Sequence, residues 1–255
     1  MQNENISSSI PFYKRGLTNN QLKIIAMLAM VCDHVGKILL PEIMIFQIIG
    51  RLSFPIFAYM IAEGCKHTKN RRKYLLQIFG FGAIFQIVYT IFEPSLYQNI
   101  FITFTLSIMV IFATERFLNK KNLANFAIML GAVLVALFFG CLLYEVPSLK
   151  LMLYNLTGLS DYYVDYKYLG VMLPILIYFA PSKPLKLIVT TVIVFCYGYF
   201  FNSLQYYMFL TIPLLALYNG KRGRAKLKYM FYLFYPAHMV IIYGIAMLIN
   251  WYLYG

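Results

Sequence analysis

Apolar residues dominate this chain in long runs, broken by short polar stretches. The runs cover residues 22–40, 43–62, 74–92, 100–117, 123–144, 168–180, 185–201, 204–218 and 229–253. A crossing of the hydrocarbon core takes about 20 residues. In lipid every backbone N–H and C=O must pair within its own segment or barrel. The pattern therefore predicts an all-α fold: a polytopic transmembrane helix bundle of about nine spans. The sixth and eighth runs are the shortest. Residues 1–20 read as a polar N-terminal tail without a signal-peptide core, from which nothing is expected to be cleaved. Residues 21–255 read as one membrane domain.

The polar breaks carry orientation. Lys66, Lys69, Arg71, Arg72 and Lys73 follow the second run, and Arg116, Lys120 and Lys121 the fourth. Lys183 and Lys186 follow the sixth, and Lys221, Arg222, Arg224, Lys226 and Lys228 the eighth. The stretches Glu93–Asn99 and Asn202–Ser203 hold no Lys or Arg. Positive loops face the cytoplasm, which predicts a cytoplasmic N-terminus and a C-terminus outside. The longest outside loop, Glu145–Lys167, contains Glu145, Asp161 and Asp165 and has room for a short interfacial helix.

Composition agrees with the pattern: 61% of the 255 residues are hydrophobic and 12% charged, against about 45–50% and 25% in soluble domains. The net charge of +13 is accounted for by the inner loops, so nucleic acid is not an expected partner. The bilayer of the cell membrane is. Cys32, Cys65, Cys141 and Cys196 lie singly in apolar runs and read as packing residues. No phosphate-binding glycine loop, nucleophile elbow or paired-histidine metal motif occurs, and no metal is expected. No pair of related halves with broken helices, the common transporter plan, is visible.

Charges inside spans are costly and mark candidate sites. The first run holds Lys23, Asp33, His34 and Lys37; the second holds Arg51 and ends at Glu63; the ninth holds His238. Each has a bland reading: Asp33 pairs with Lys37 or Arg51, Lys23 snorkels to the interface, His238 is a packed polar contact. Together they make a polar cavity the economical explanation. Lys23 and His34 are eleven residues apart, three helical turns on one face, with a rise of roughly 16 Å. Met27 and Met30 lie between them on the same stripe. A cation at the mouth and a proton acceptor at depth suit a phosphate-bearing donor with a long thin arm, such as an acyl-coenzyme A. Asp33 points about 100° away from His34.

Several blocks of residues resemble one family in order along the chain. They are Leu17–Met27 with Asp33-His34-Val35-Gly36, Ile49–Ala58, and Ala62-Glu63-Gly64 with His67–Arg71 and Lys73-Tyr74. Further along come Gln98-Asn99 with Thr103, Asp165-Tyr166 with Gly170-Val171, Tyr218–Gly223, and Phe231–His238. The chain resembles TraX proteins after residue 16. A Lys or Arg, ten residues and a His is also the signature of the wider acyltransferase type-three membrane family; Lys23 and His34 match it. The resemblance implies an acetyltransferase that draws acetyl from cytosolic acetyl-coenzyme A (acetyl-CoA), best known for N-terminal acetylation of conjugative pilin. The acceptor is then a peptide amine or a glycan hydroxyl. His34 is the candidate general base or transient acyl carrier. Arg51 is the candidate oxyanion stabiliser, with Asp33 and His238 beside them. Lys23, Glu63, His67, Arg71 and Arg72 are the candidates on the donor side. A permease or flippase for a small polar or lipid-linked solute is the competing reading, since it too needs a polar cavity.

Overall fold

The structure, a computed structural model, describes residues 16–92, 95, 97–159, 162–223 and 228–254. Most of the polar tail, together with Glu93, Asp161, Arg224 and Lys226, lies outside the described residues. Among those described, the chain is helical with no strand. The helices are α1 (Asn19–Ile38), α2 (Met44–Gly50), α3 (Ser53–His67), α4 (Arg71–Phe92), α5 (Ile100–Asn119), α6 (Leu123–Leu137), α7 (Pro147–Thr157), α8 (Lys167–Phe179), α9 (Lys183–Phe200), α10 (Thr211–Ala216) and α11 (Lys228–Tyr254). A π-helical stretch, Phe138–Leu142, prolongs α6, and a 3-10 helix, Ser203–Leu210, leads into α10.

Helices occur at all nine apolar runs, and six are long and apolar enough to cross a bilayer: Met44–His67, Arg71–Ile91, Ile100–Asn119, Leu123–Leu142, Lys183–Phe200 and Leu233–Leu253. Lys167–Phe179 and Ser203–Ala216 are apolar but shorter. The first, α1, has the length of a span at 20 residues but carries Lys23, Asp33 and Lys37. It packs against α2, α3 and α11.

Within the second run the regular α-helical bonding is interrupted at Arg51–Leu52, between α2 and α3, although both residues keep right-handed helical torsions. Pro55 has no N–H to offer the Arg51 carbonyl, so the ladder fails there. The turn over residues 39–43 sets α2 back along α1. At that crossing Gly50 lies against Asp33: a Cβ added to Gly50 would sit 2.4 Å from the Asp33 Cβ. The stretch between Glu145 and Lys167 does contain a short helix, α7, which starts at Pro147 and is closed by Gly158 in the left-handed conformation. Its apolar residues Leu151, Met152 and Leu156 are exposed.

Helix ends follow local chemistry. Thr18 and Gln21 form a capping box on α1. Asn99, Asn122 and Ser182 cap α5, α6 and α9 with their side chains. The core is built on α8, which packs on α3, α5 and α9. Leu22, Ile56, Ala58, Ile108, Leu173 and Ile177 are fully buried there. Two hydroxyls on α5 tie it to the α8 region: Thr103 donates to the Asp165 carbonyl at 2.8 Å and Ser107 to the Val171 carbonyl at 2.9 Å. Leu76, Ile84, Ile87 and Ile91 on α4 and Ile241, Leu248 and Trp251 on α11 point outward, as lipid-facing residues must.

Candidate functional site

Three of the four residues of the α1 stripe face a cavity, and His34 is not among its lining residues. Lys23, Met27 and Met30 all line a space of about 680 Å³ enclosed by α1, α3, α4, α5, α11 and the segment after α10. The rim is polar, with Asn19, Asn20, Lys23, Glu63, His67, Lys73 and Arg222. The deeper wall is apolar and aromatic, with Met27, Met30, Phe57, Phe101, Phe104 and Tyr235.

Backbone hydrogen bonds bring the rim together. The segment after α10 lies beside the start of α1: Leu17 N–H donates to the Leu217 carbonyl at 2.7 Å, Asn219 N–H to Leu17 at 2.9 Å, Asn19 N–H to Lys221 at 2.8 Å and Asn20 N–H to Arg222 at 3.2 Å. Gly16 makes the close approach possible. Its φ is +66°, and a Cβ there would meet the Leu217 oxygen at 2.5 Å. This pairing carries Arg222 to the same rim as Lys23, although about 200 residues of chain separate them.

The lining ends at Met30 and Tyr235, and two histidines lie one turn further. His34 Nδ1 is 3.0 Å from His238 Nε2. The other nitrogen of His238, Nδ1, is 2.9 Å from the Phe234 carbonyl oxygen. Phe234 stacks on the His238 ring at 5.2 Å, and Tyr235 meets it edge-on at 5.4 Å. Tyr235 is itself held edge-on by Phe85 and Phe101, at 4.5 and 4.6 Å. Tyr235, where the lining ends, thus touches His238, and His238 in turn touches His34; neither histidine lines the cavity itself.

Asp33 does not orient His34. It forms ion pairs with Lys37, at 2.6 Å, and with Arg51. Arg51 is buried, and its three kinds of nitrogen all have partners: Nη2 with Asp33, Nε with the Gln47 carbonyl at 3.2 Å, and Nη1 with Gln205 at 3.3 Å. The Arg51 guanidinium is therefore committed to linking α1, α2 and the 3-10 helix. Asp165 and Tyr166 add to its electrostatic surroundings. Asp165, in the loop before α8, accepts a hydrogen bond from Tyr97, and burial raises its carboxyl above the ordinary carboxylate range.

The donor-side candidates divide by helix face. Of the consecutive residues Arg71, Arg72 and Lys73, the cavity is lined by Lys73, with Tyr74 and Gln77. Arg71 pairs with Glu115 at 2.6 Å and stacks over Phe112. Arg72 borders a separate shallow groove. Successive helix residues point about 100° apart, so three adjacent cations cannot share one face. Glu63 reaches the rim and pairs with Lys186, and its other oxygen lies 3.5 Å from His67. Lys186 is not a loop residue, as its place after the sixth run suggests. It is buried in the first turns of α9, with its ammonium 5.2 Å from the Tyr59 ring centre. Lys73, Lys186, Arg222 and Tyr235 are the site residues that sequence reading left out. A buried lysine and a loop lysine look alike in sequence when both flank an apolar run.

The profile of the family described as TraX protein matches residues 18–246. The chain belongs to the TraX family. This TraX-family chain is also similar to a "Probable fimbrial assembly protein FimC, serogroup H1" of Dichelobacter nodosus, 26% identical over 90% of this chain and 96% of the relative. It is 38% identical over 89 residues to an uncharacterized protein, RP591, of Rickettsia prowazekii strain Madrid E, covering 34% of each. No solved structure matches it. The matched span takes in the α1 stripe, the segment after α10 and His238, so every part of the cavity belongs to the family region.

Proposed function

We propose that this TraX-family protein is a membrane-embedded acyltransferase that moves an acyl group, acetyl by resemblance, from cytosolic acetyl-coenzyme A to an acceptor amine or hydroxyl. One observation carries the reading. A cavity of about 680 Å³ has cations at its rim and an apolar bore, and Tyr235 at its inner end touches His238, which is hydrogen-bonded to His34. Coenzyme A has that polarity along its length: phosphates at one end, a thin arm, and a thioester at the other. Lys23, Lys73 and Arg222 would meet the phosphates. Met27, Met30 and Phe104 would line the arm.

His34 acts as general base in this reading. An acceptor amine loses its proton to the imidazole as its nitrogen attacks the thioester carbonyl carbon. The C–S bond breaks as the tetrahedral intermediate collapses. The proton held by His34 passes to the departing sulfur, giving the amide and free coenzyme A thiol. Asp33, Lys37 and Arg51 hold α1 against α2 and so keep the histidine in place.

All nine apolar helices are taken to cross or enter the membrane, with the N-terminus cytoplasmic so that the cationic rim meets the cytosolic donor. The name of the Dichelobacter relative points to fimbrial assembly. A pilin or fimbrial peptide amine is accordingly the first acceptor to try.

Purified protein in lipid nanodiscs, given radiolabelled acetyl-coenzyme A, tests the proposal. Thioester cleavage that is lost in His34→Ala is the expected result. Cleavage undiminished in that variant removes His34 from the mechanism. Solute flux in vesicles without any cleavage favours a permease.

A further inference from the structure

We propose that His238 is a positioning residue: it fixes His34 in the tautomer that carries its proton on Nδ1, leaving Nε2 as the basic nitrogen. The inference rests on the acyl-transfer reading for its purpose, though not for its geometry.

The assignment follows from an acceptor with no choice of role. The Phe234 carbonyl oxygen can only accept, so His238 Nδ1, 2.9 Å away, must carry the hydrogen. In a neutral imidazole the second nitrogen is then a bare acceptor. His238 Nε2 therefore presents a lone pair to His34 Nδ1 at 3.0 Å, and His34 Nδ1 must donate. The proton of His34 is thereby placed on Nδ1, and Nε2 holds the lone pair. The tautomer of one ring is set by the bond its other nitrogen makes. Here two rings pass that choice along from a backbone carbonyl.

The His238 ring is not free to turn over and reverse the order. Phe234 lies nearly parallel to it, at an interplanar angle of 14°. Tyr235 also abuts it edge-on, at 81°. His238 itself is buried. After His34 Nε2 accepts a proton, the hydrogen bond from Nδ1 to His238 becomes charge-assisted and roughly twice as strong as the neutral one. The pair thus favours the protonated intermediate without His238 touching the substrate.

The protein contains three histidines, which makes direct observation practical. Nitrogen-15 NMR of histidine-labelled protein in lipid reads each ring nitrogen as protonated or bare, and His67→Asn assigns the exposed third ring. Wild type should show His34 with protonated Nδ1 and bare Nε2. His238→Leu should lose that preference. His238→Gln should keep it, because a glutamine places its amide oxygen where His238 Nε2 lies. His238→Asn should not, because its shorter side chain does not reach His34. The kinetics should follow the spectra. Turnover of acetyl-coenzyme A should fall about 100-fold in the Leu and Asn variants, the scale of a mispositioned general base. Its KM should stay unchanged, and Gln should restore most of the loss.

Protonated Nε2 on His34 in wild type overturns the proposal, and that measurement needs no variant to fold. An unchanged His34 tautomer in His238→Leu also overturns it. Wild-type protein with the expected tautomer but no thioester cleavage supports the positioning role and removes the acyl-transfer reading instead.

Discussion

His34 Nδ1 and His238 Nε2 stand 3.0 Å apart although 204 residues separate them in the chain. One belongs to the first helix and the other to the last, so the contact closes the bundle just beyond the inner end of the cavity. Everything proposed for the site depends on these two helices meeting there, above a bore that begins at Lys23.

The rim cations should act on donor binding and not on chemistry. Lys23→Met and Arg222→Met, separately, should each raise the KM for acetyl-coenzyme A by about ten-fold, the loss of roughly 1.4 kcal/mol of phosphate contact. Turnover at saturation should hardly change. Arg71→Met, whose side chain turns to Glu115, should leave KM unaltered. Steady-state kinetics on the three variants checks both statements, and a KM effect of Arg71→Met equal to that of Lys23→Met would contradict the face assignment.

Arg51 should matter for folding before it matters for catalysis. Breaking a buried pair costs about 3–5 kcal/mol; Arg51→Met leaves the buried Asp33 carboxylate only the half-exposed Lys37 as ion-pair partner, so it should cost part of that amount and lower the thermal transition of the detergent-solubilised protein. Arg51→Met combined with Asp33→Asn should recover part of the loss, since the buried carboxylate charge is removed with its buried partner. Thermal denaturation followed by tryptophan-independent far-UV circular dichroism gives the comparison.

Gly50 should resist even the smallest side chain. Its Cβ would overlap Asp33 at the α1–α2 crossing, and overpacking of this kind costs about 1–3 kcal/mol. Gly50→Ala should be destabilised in the same assay, whereas Gly131→Ala, with open space around its position, should not be. Equal stability of the two variants would place the crossing elsewhere.

Asp165 should give stability a pH dependence of definite sign. Its carboxyl is raised above the ordinary value of 3.8 by burial. The folded protein therefore holds the Asp165 proton more tightly than the unfolded chain. That contribution is fully present below pH 3.8 and is lost as pH rises through the raised folded value. Asp165→Asn should flatten this part of the profile in a wild-type-minus-variant comparison of chemical denaturation. A steeper rise of wild-type stability with pH across the window would show the opposite shift.

Much of the bundle was legible in the sequence because lipid leaves the backbone few options. Helices occur at every apolar run, and the capping signals at Thr18–Gln21 and Asn99 are local. The alternatives for Asp33 were also visible: spacing offered Lys37, chemistry offered Arg51, and the structure uses both. The missing ladder bond at Arg51 follows from Pro55, yet an apolar run gives no cue that α2 lies back along α1. Arg71, Arg72 and Lys73 were indistinguishable as charges and are separated by the phase of α4 alone.

Sequence by itself determined that this chain is a helical membrane protein of the TraX type, with Lys23, Met27, Met30 and His34 on one stripe of its first helix. Helical periodicity and the cost of bare backbone in hydrocarbon suffice for that. Only the tertiary structure decided what the stripe faces: Arg222 drawn to the rim by backbone bonds around Leu17, Lys186 buried on Glu63, and His238 set against His34. Those partners come from distant parts of the chain. Their meeting depends on how helices pack in three dimensions, and no spacing along the sequence records it.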